Sequence, residues 1–192
     1  MFGKPCVYIQ TGNYENLSPY PISKRTAGQY ALMYNKEYGT KITVIRGLVA
    51  YGERQSHYPV QKIVPTFIIK ALKGEDLPIY GDGEQVHDLI YARDLSKVLI
   101  DPLEEEHNYY DKVLDGGSGY EYTVNEIADL ILKTTGSKSK KVYLPMRAGE
   151  PERDKVVCNE SKDLIKQYKH RRLEDMIEQV VQWYADIYLK YI

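Results

Sequence analysis

An apolar run over 5–11, a helical pattern over 18–39 and a β-branched run over 41–46 follow one another closely, and this order constrains the chain most. Strand, helix, strand is a βαβ unit, which requires parallel pairing and a right-handed crossover. Pro5-Cys6-Val7-Tyr8-Ile9-Gln10-Thr11 reads as a buried strand, with Cys6 a buried thiol, and Gly12 and Asn13 end it. Ser18 is placed to cap the helix, and Pro19 takes the first helical position, where a missing N–H costs nothing. Ala27, Tyr30, Ala31 and Tyr34 share one face, and Gly39 is the stop. The next strand is compact and β-branched around Ile42-Thr43-Val44-Ile45.

Downstream the elements keep alternating. A loop over 47–58 leads into a helix over 62–73 that stops at Gly74. Leu77-Pro78-Ile79-Tyr80 precedes the turn Gly81-Asp82-Gly83-Glu84, and 86–91 alternates as a strand. Asp94 is expected to cap a short helix over 95–100. After the charged run Glu104-Glu105-Glu106-His107 come a strand over 112–114 and a glycine turn over 116–119. Thr123 and Glu126 form a capping box for a helix over 124–135. A strand over 142–144, a loop over 147–159 and helices over 164–168 and 173–191 complete an α/β chain.

The 192 residues suffice for a real core, and 43% hydrophobic with 28% charged residues is ordinary for a globular protein. A formal net charge of -1 argues against a nucleic-acid partner. No apolar run is long enough to span a membrane and the start lacks a signal-peptide pattern, so a cytoplasmic protein is expected. Cys6 and Cys158 have no metal-type neighbours, and no metal site is expected. Nineteen tyrosines stand against two phenylalanines, so many rings must be half-buried with the hydroxyl reaching water or a partner.

One pair carries chemistry. Tyr20 and Lys24 are four apart at the start of the first helix, which places both side chains on one face. An ammonium beside a phenol favours the phenolate, so the pair could exchange a proton with a substrate hydroxyl. The same spacing also describes a solvated helix face in a tyrosine-rich chain.

The motifs in order are Ser18-Pro19-Tyr20 with Ser23-Lys24; Arg46, Tyr51-Gly52 and Arg54-Gln55; Val64-Pro65 with Phe67-Ile68; and Ile79 through Gln85. Asp88 with Ile90-Tyr91 and Asp94-Leu95, then Gly117-Ser118-Gly119, then Arg147 through Pro151, complete the series. This series resembles the extended short-chain dehydrogenase/reductase family, the NAD-dependent sugar-nucleotide epimerases and dehydratases. The likeness covers the family's C-terminal half. It lacks the Gly-rich dinucleotide-binding region, and Gly116 to Gly119 falls in the substrate-lobe part of the pattern.

The resemblance implies a partial Rossmann-type parallel sheet, truncated at the N-terminus, with a smaller C-terminal α/β substrate lobe. Residues 1–60 would be the remnant of the dinucleotide-binding domain and 61–192 mostly the lobe, with segments around 86–101 returning to the Rossmann part. It implies Tyr20 as acid/base, Lys24 as the residue that tunes it and touches the NAD ribose, and Thr11 as the nearest candidate for a supporting hydroxyl. Pro78, Ile79 and Tyr80 would pack against the nucleotide base, partly through the backbone, and Arg147 would pair with a diphosphate. His87 stands where the family commonly has a second arginine, Val49 where an asparagine often contacts the sugar nucleotide, and Glu53 replaces a proline. A carboxylate at 53 is expected to repel a diphosphate. The implied roles are an enzyme half that binds a nucleotide sugar and borrows NAD binding from a complementing chain, or a non-catalytic nucleotide-sugar or dimerisation module. In either, the helix over 18–39 is the expected dimer surface; a bare fragment is the third reading.

Overall fold

A computed structural model describes residues 3–13, 17–104, 109–147, 155–157 and 169–188. The first sheet is parallel, with strand order β1 (Cys6–Thr11), β2 (Ile42–Gly47), β6 (Val113–Gly116). Helix α1 (Pro19–Tyr38) links β1 to β2 and packs on both. Gly39 ends it at φ 63°, a left-handed conformation that favours glycine, and its N–H bonds the Asn35 carbonyl. Gly28 lets the helix approach closely, since a Cβ there would lie 3.0 Å from Gln10 Nε2 and 3.3 Å from Val44 Cγ1.

A second sheet joins β3 (Val49–Tyr51), β5 (Val86–Tyr91), β7 (Glu121–Thr123) and β9 (Lys155–Val156). β5 is its hub: it runs parallel to β3 and β9 and antiparallel to β7. A third, two-stranded sheet pairs β4 (Leu77–Tyr80) with β8 (Lys141–Leu144) in parallel. Helices α2 (Ile63–Lys73), α4 (Val124–Thr135) and α5 (Leu173–Tyr188) enclose the larger core, which includes Ile68, Ile79, Leu89, Ile127, Ile131, Ile177 and Tyr184. The smaller core sits at the first sheet, where Ile45, Ile90, Val98 and Leu114 meet under α3 (Ala92–Ile100). The Thr123–Glu126 capping box forms at the start of α4.

Several expectations need correction. Among the described residues β1 is an edge strand, and Cys6, its first residue, is exposed rather than buried. The 47–58 loop contains β3, which exists through its pairing with β5. Asp94 does not cap α3. It lies inside the first turn, buried, and accepts hydrogen bonds from the Arg171 backbone N–H (2.9 Å) and guanidinium (2.5 Å to Nη2). The expected helix over 164–168, the end of the last helix at 189–191, Cys158, the 105–107 charges and the motif residues 148–151 lie outside the described residues.

Candidate active-site cleft

Three elements end at one place. β1 runs into Thr11, Gly12 and Asn13; the first turn of α1 presents Tyr20; and the chain leaving β2 contributes Gly47, Leu48 and Val49. Opposite them stand the start of α2, the cleft-facing side of β4, His87 of β5, and Met146 with Arg147 after β8. The cavity between has a volume of about 600 Å³, the size range of small-molecule sites.

Of the residues singled out in the sequence, Thr11, Tyr20, Val49, Pro78, Tyr80, His87 and Arg147 line this cavity. Ile79 does not. Successive strand residues face opposite sides, so Pro78 and Tyr80 point to the cleft while Ile79 is wholly buried in the larger core. Only its backbone can serve a ligand. Tyr20 is accessible, at 61% exposure. Lys24 lies one turn along the same helix, but its ammonium donates to the Ile9 carbonyl at 3.0 Å and sits 5.3 Å from the Tyr8 ring centroid. Burial, and then the neighbouring Tyr20, push the Tyr8 phenol above its ordinary value.

On the far wall the Arg147 guanidinium stacks on the Tyr80 ring, 4.0 Å from its centroid. Gln85 anchors that wall: its amide donates to the Tyr80 carbonyl at 2.7 Å, which fixes the strand end carrying the ring. Lys62, Gln61, Gln55, Thr66 and Gln85 also line the cavity, and sequence reasoning gave none of them a role in binding. Lys62 had a readable signal, as the residue just before a helix whose first turn contains a proline.

The Glu53 carboxylate is not among the cavity's lining residues. It accepts hydrogen bonds from the Tyr91 hydroxyl (2.9 and 2.8 Å) and from the Gln179 amide. Burial pushes its pKa up, but its own backbone N–H, Gln179, Tyr91 and the Arg93 charge outweigh that and hold it below the usual range. The expected repulsion of a diphosphate therefore has no geometric basis. Glu53 ties the loop after β3 to α5, and Tyr184 does the same through its hydroxyl to the Gln55 carbonyl at 2.7 Å.

The glycine turn after β6 is not a phosphate cradle. The N–H groups of Ser118 (2.7 Å) and Gly119 (2.8 Å), with the Ser118 hydroxyl (2.8 Å), all donate to the buried Asp88 carboxylate. A strand, β7, follows it where a dinucleotide site would need a helix. No group of His, Cys, Asp and Glu fit to hold a metal occurs among the described residues. Among the described residues, no helix is long and apolar enough to cross a membrane.

Residues 1–110 match the model of the NAD dependent epimerase/dehydratase family. A putative UDP-glucose 4-epimerase of Methanocaldococcus jannaschii is 34% identical over 134 residues, which is 70% of this chain and 43% of that protein. A UDP-N-acetyl-alpha-D-glucosaminuronate decarboxylase of Bacillus cytotoxicus is 29% identical over 88% of this chain and 53% of its own length. Among solved structures, the UDP-glucose 4-epimerase of Thermotoga maritima with UDP-glucose superposes with a TM-score of 0.83 at 28% identity, over 95% of this chain and 64% of that one. The chain thus spans about half the length of the curated relatives it matches.

Proposed function

The chain belongs to the NAD dependent epimerase/dehydratase family, and on that premise we propose that it is the acid/base and substrate-lobe portion of an enzyme acting on a nucleotide sugar. The observation that carries this reading is the single cleft that gathers Tyr20 on one wall and the Tyr80–Arg147 stack on the other. A guanidinium suits a diphosphate, and Pro78 and the Tyr80 ring offer an apolar seat for a base. Lys62 adds a second cation to the cleft, where His87 replaces the arginine expected from the family pattern. Tyr20 is then left facing the sugar, where a phenol can take or return a hydroxyl proton.

NAD, when bound, accepts and returns a hydride. The described residues do not fit its pyrophosphate, since the turn amides that could cradle it are bonded to Asp88. NAD binding then falls to residues outside those described, a complementing chain being one way to supply them. The exposed tyrosines of α1, with Ile22 and Met33, are the surface we assign to that chain or to a second copy. The seat of Lys24 on the Ile9 carbonyl supports the second reading, a binding module without turnover.

Titration calorimetry with NAD, UDP-glucose and dTDP-glucose, each alone, tests the proposal. A nucleotide sugar should bind and NAD should not. Arg147→Ala should weaken sugar-nucleotide binding about tenfold or more, and Tyr20→Phe should leave it intact. Failure of every nucleotide sugar to bind would sink both readings. With a complementing chain supplied, loss of turnover in Tyr20→Phe separates enzyme from module.

A further inference from the structure

Among the described residues, the backbone holds one residue other than glycine at positive φ, and it stands next to the cleft. Arg54 sits at φ 64°, a conformation that costs a residue with a side chain and persists only where its surroundings fix it. The groups that fix it lie on both sides. Glu53 accepts from the Tyr91 hydroxyl and the Gln179 amide, and the Tyr184 hydroxyl donates to the Gln55 carbonyl at 2.7 Å. Gly52 packs so closely that a Cβ there would lie 3.2 Å from the Ala92 Cβ. What this clamped turn places is Gln55, which lines the cleft.

Gln55 is held one way round. Its side-chain amide donates to the Ala50 carbonyl at 2.8 Å, and the reverse orientation would set two oxygens against each other. The side-chain oxygen is left as an acceptor, buried and without a hydrogen-bond partner. A buried acceptor left unmatched is costly, and on a cleft wall a ligand can supply its donor. Ala50 follows Val49, so this oxygen belongs to the wall that carries Tyr20 rather than to the Tyr80–Arg147 wall. No Asp or Glu lines the cleft among the described residues, so the acceptor is neutral and suits a hydroxyl rather than a cation.

We propose that Gln55 is a specificity-determining residue whose side-chain oxygen accepts a hydrogen bond from a hydroxyl of the sugar, with Glu53 as its positioning residue. The proposal rests on the reading of the cleft as a nucleotide-sugar site and adds which wall recognises the sugar. Tyr80 and Arg147 hold the nucleotide, and Gln55 reads what is attached to it. A small turn of the amide brings its oxygen to the cleft surface as the hydroxyl arrives.

Titration calorimetry on the whole chain tests it with UDP, UDP-glucose and UDP-glucose analogues that each carry fluorine in place of one sugar hydroxyl, or with the thymidine series if only dTDP binds. Fluorine cannot donate, so the analogue lacking the hydroxyl read by Gln55 should bind about tenfold more weakly than UDP-glucose. Gln55→Leu should weaken UDP-glucose by about the same factor, keep the affinity for UDP, and be indifferent to that fluorine, because both changes delete one bond. Glu53→Ala should reproduce the sugar-specific loss, and Glu53→Gln, which keeps an oxygen for Tyr91, should restore most of it. Thermal melts check that each variant folds. The proposal is overturned if Gln55→Leu weakens UDP and UDP-glucose alike, if its loss adds in full to that of every analogue, or if Glu53→Ala leaves sugar affinity untouched. Binding of neither UDP nor dTDP to the parent chain overturns the nucleotide-sugar reading itself, and the proposal with it.

Discussion

The lobe and the first sheet use tyrosine in opposite ways. In the lobe, Tyr51, Tyr91, Tyr122 and Tyr184 are buried, and each hydroxyl donates to a named partner: the Arg172 carbonyl, Glu53, Glu174 and the Gln55 carbonyl. Along α1, Tyr20, Tyr30, Tyr34 and Tyr38 stand exposed, and the helix buries only Pro21, Gly28 and Ala31. Among the described residues, the lobe closes a core between three helices and several strands, whereas the smaller core at the first sheet gathers Ile45, Ile90, Val98 and Leu114. Large apolar groups that a region cannot cover by itself mark surface meant for something else. The larger core is enclosed on several sides, whereas the first sheet is covered by α1 and α3 with most of the α1 tyrosines left exposed.

Core truncation should break or sharpen this contrast most strongly. Ile127 is fully buried in the lobe, and Ile127→Ala should cost about 2–5 kcal/mol in urea denaturation. Val7 on β1 is only partly buried against the small core, and Val7→Ala should cost under about 1 kcal/mol. Native-state hydrogen exchange should rank the regions likewise, with β1 opening before α4. Equal losses, or matched protection, would mean that the sheet is as self-sufficient as the lobe.

The two regions are joined by buried charge, so acid should loosen the joint next. Burial alone would raise the Asp94 pKa, but its bonds to Arg171, aided by Lys97, hold it below the ordinary aspartate value. Glu53 is lowered in the same way. Burial also lowers His170, against the opposing pull of Asp94 and Asp88. In each case the folded value lies below the unfolded one, so the unfolded chain binds the proton first and stability falls as pH falls. The His170 contribution begins to fade below its unfolded value near 6.5, and the carboxylates follow below about 4. His170→Gln should abolish the first decline in a pH series of thermal midpoints and leave the second. Asp94→Ala, which leaves Arg171 without its partner, should cost about 2–4 kcal/mol at neutral pH.

What was legible in the sequence was local. Gly39 and Gly74 stop their helices, and Thr123 with Glu126 caps α4, because each signal lies within a few residues of its effect. Position relative to distant chain was not legible. Asp94 has the residue type of a cap, yet its partner Arg171 is 77 residues away. Cys6 sits in an apolar run, but burial of a strand side chain needs an element packed over its face of the sheet, which an apolar run by itself does not report. Glu53 looked hostile to a diphosphate because adjacency in sequence cannot say that its carboxylate turns toward Gln179. Along β4 the period of two is itself a readable signal, since it separates Tyr80 on the cavity side from Ile79 in the core.

The smallest expected effect isolates the contrast to single oxygen atoms. Tyr184→Phe keeps the ring in the lobe core but leaves the Gln55 carbonyl without this donor, and the other described bond to that residue runs through its side-chain amide to Ala50. Losing one such buried hydrogen bond should cost about 1 kcal/mol. Tyr34 packs its ring on Tyr38 at 5.2 Å, and no described hydrogen bond involves its hydroxyl. Tyr34→Phe should therefore stay within about 0.5 kcal/mol of the parent. Since both changes delete the same atom from the same residue type, a difference measured by denaturation reports the environment alone. Equal costs would mean that the α1 hydroxyls are already engaged in the isolated chain, and the reading of α1 as surface awaiting a partner would fail.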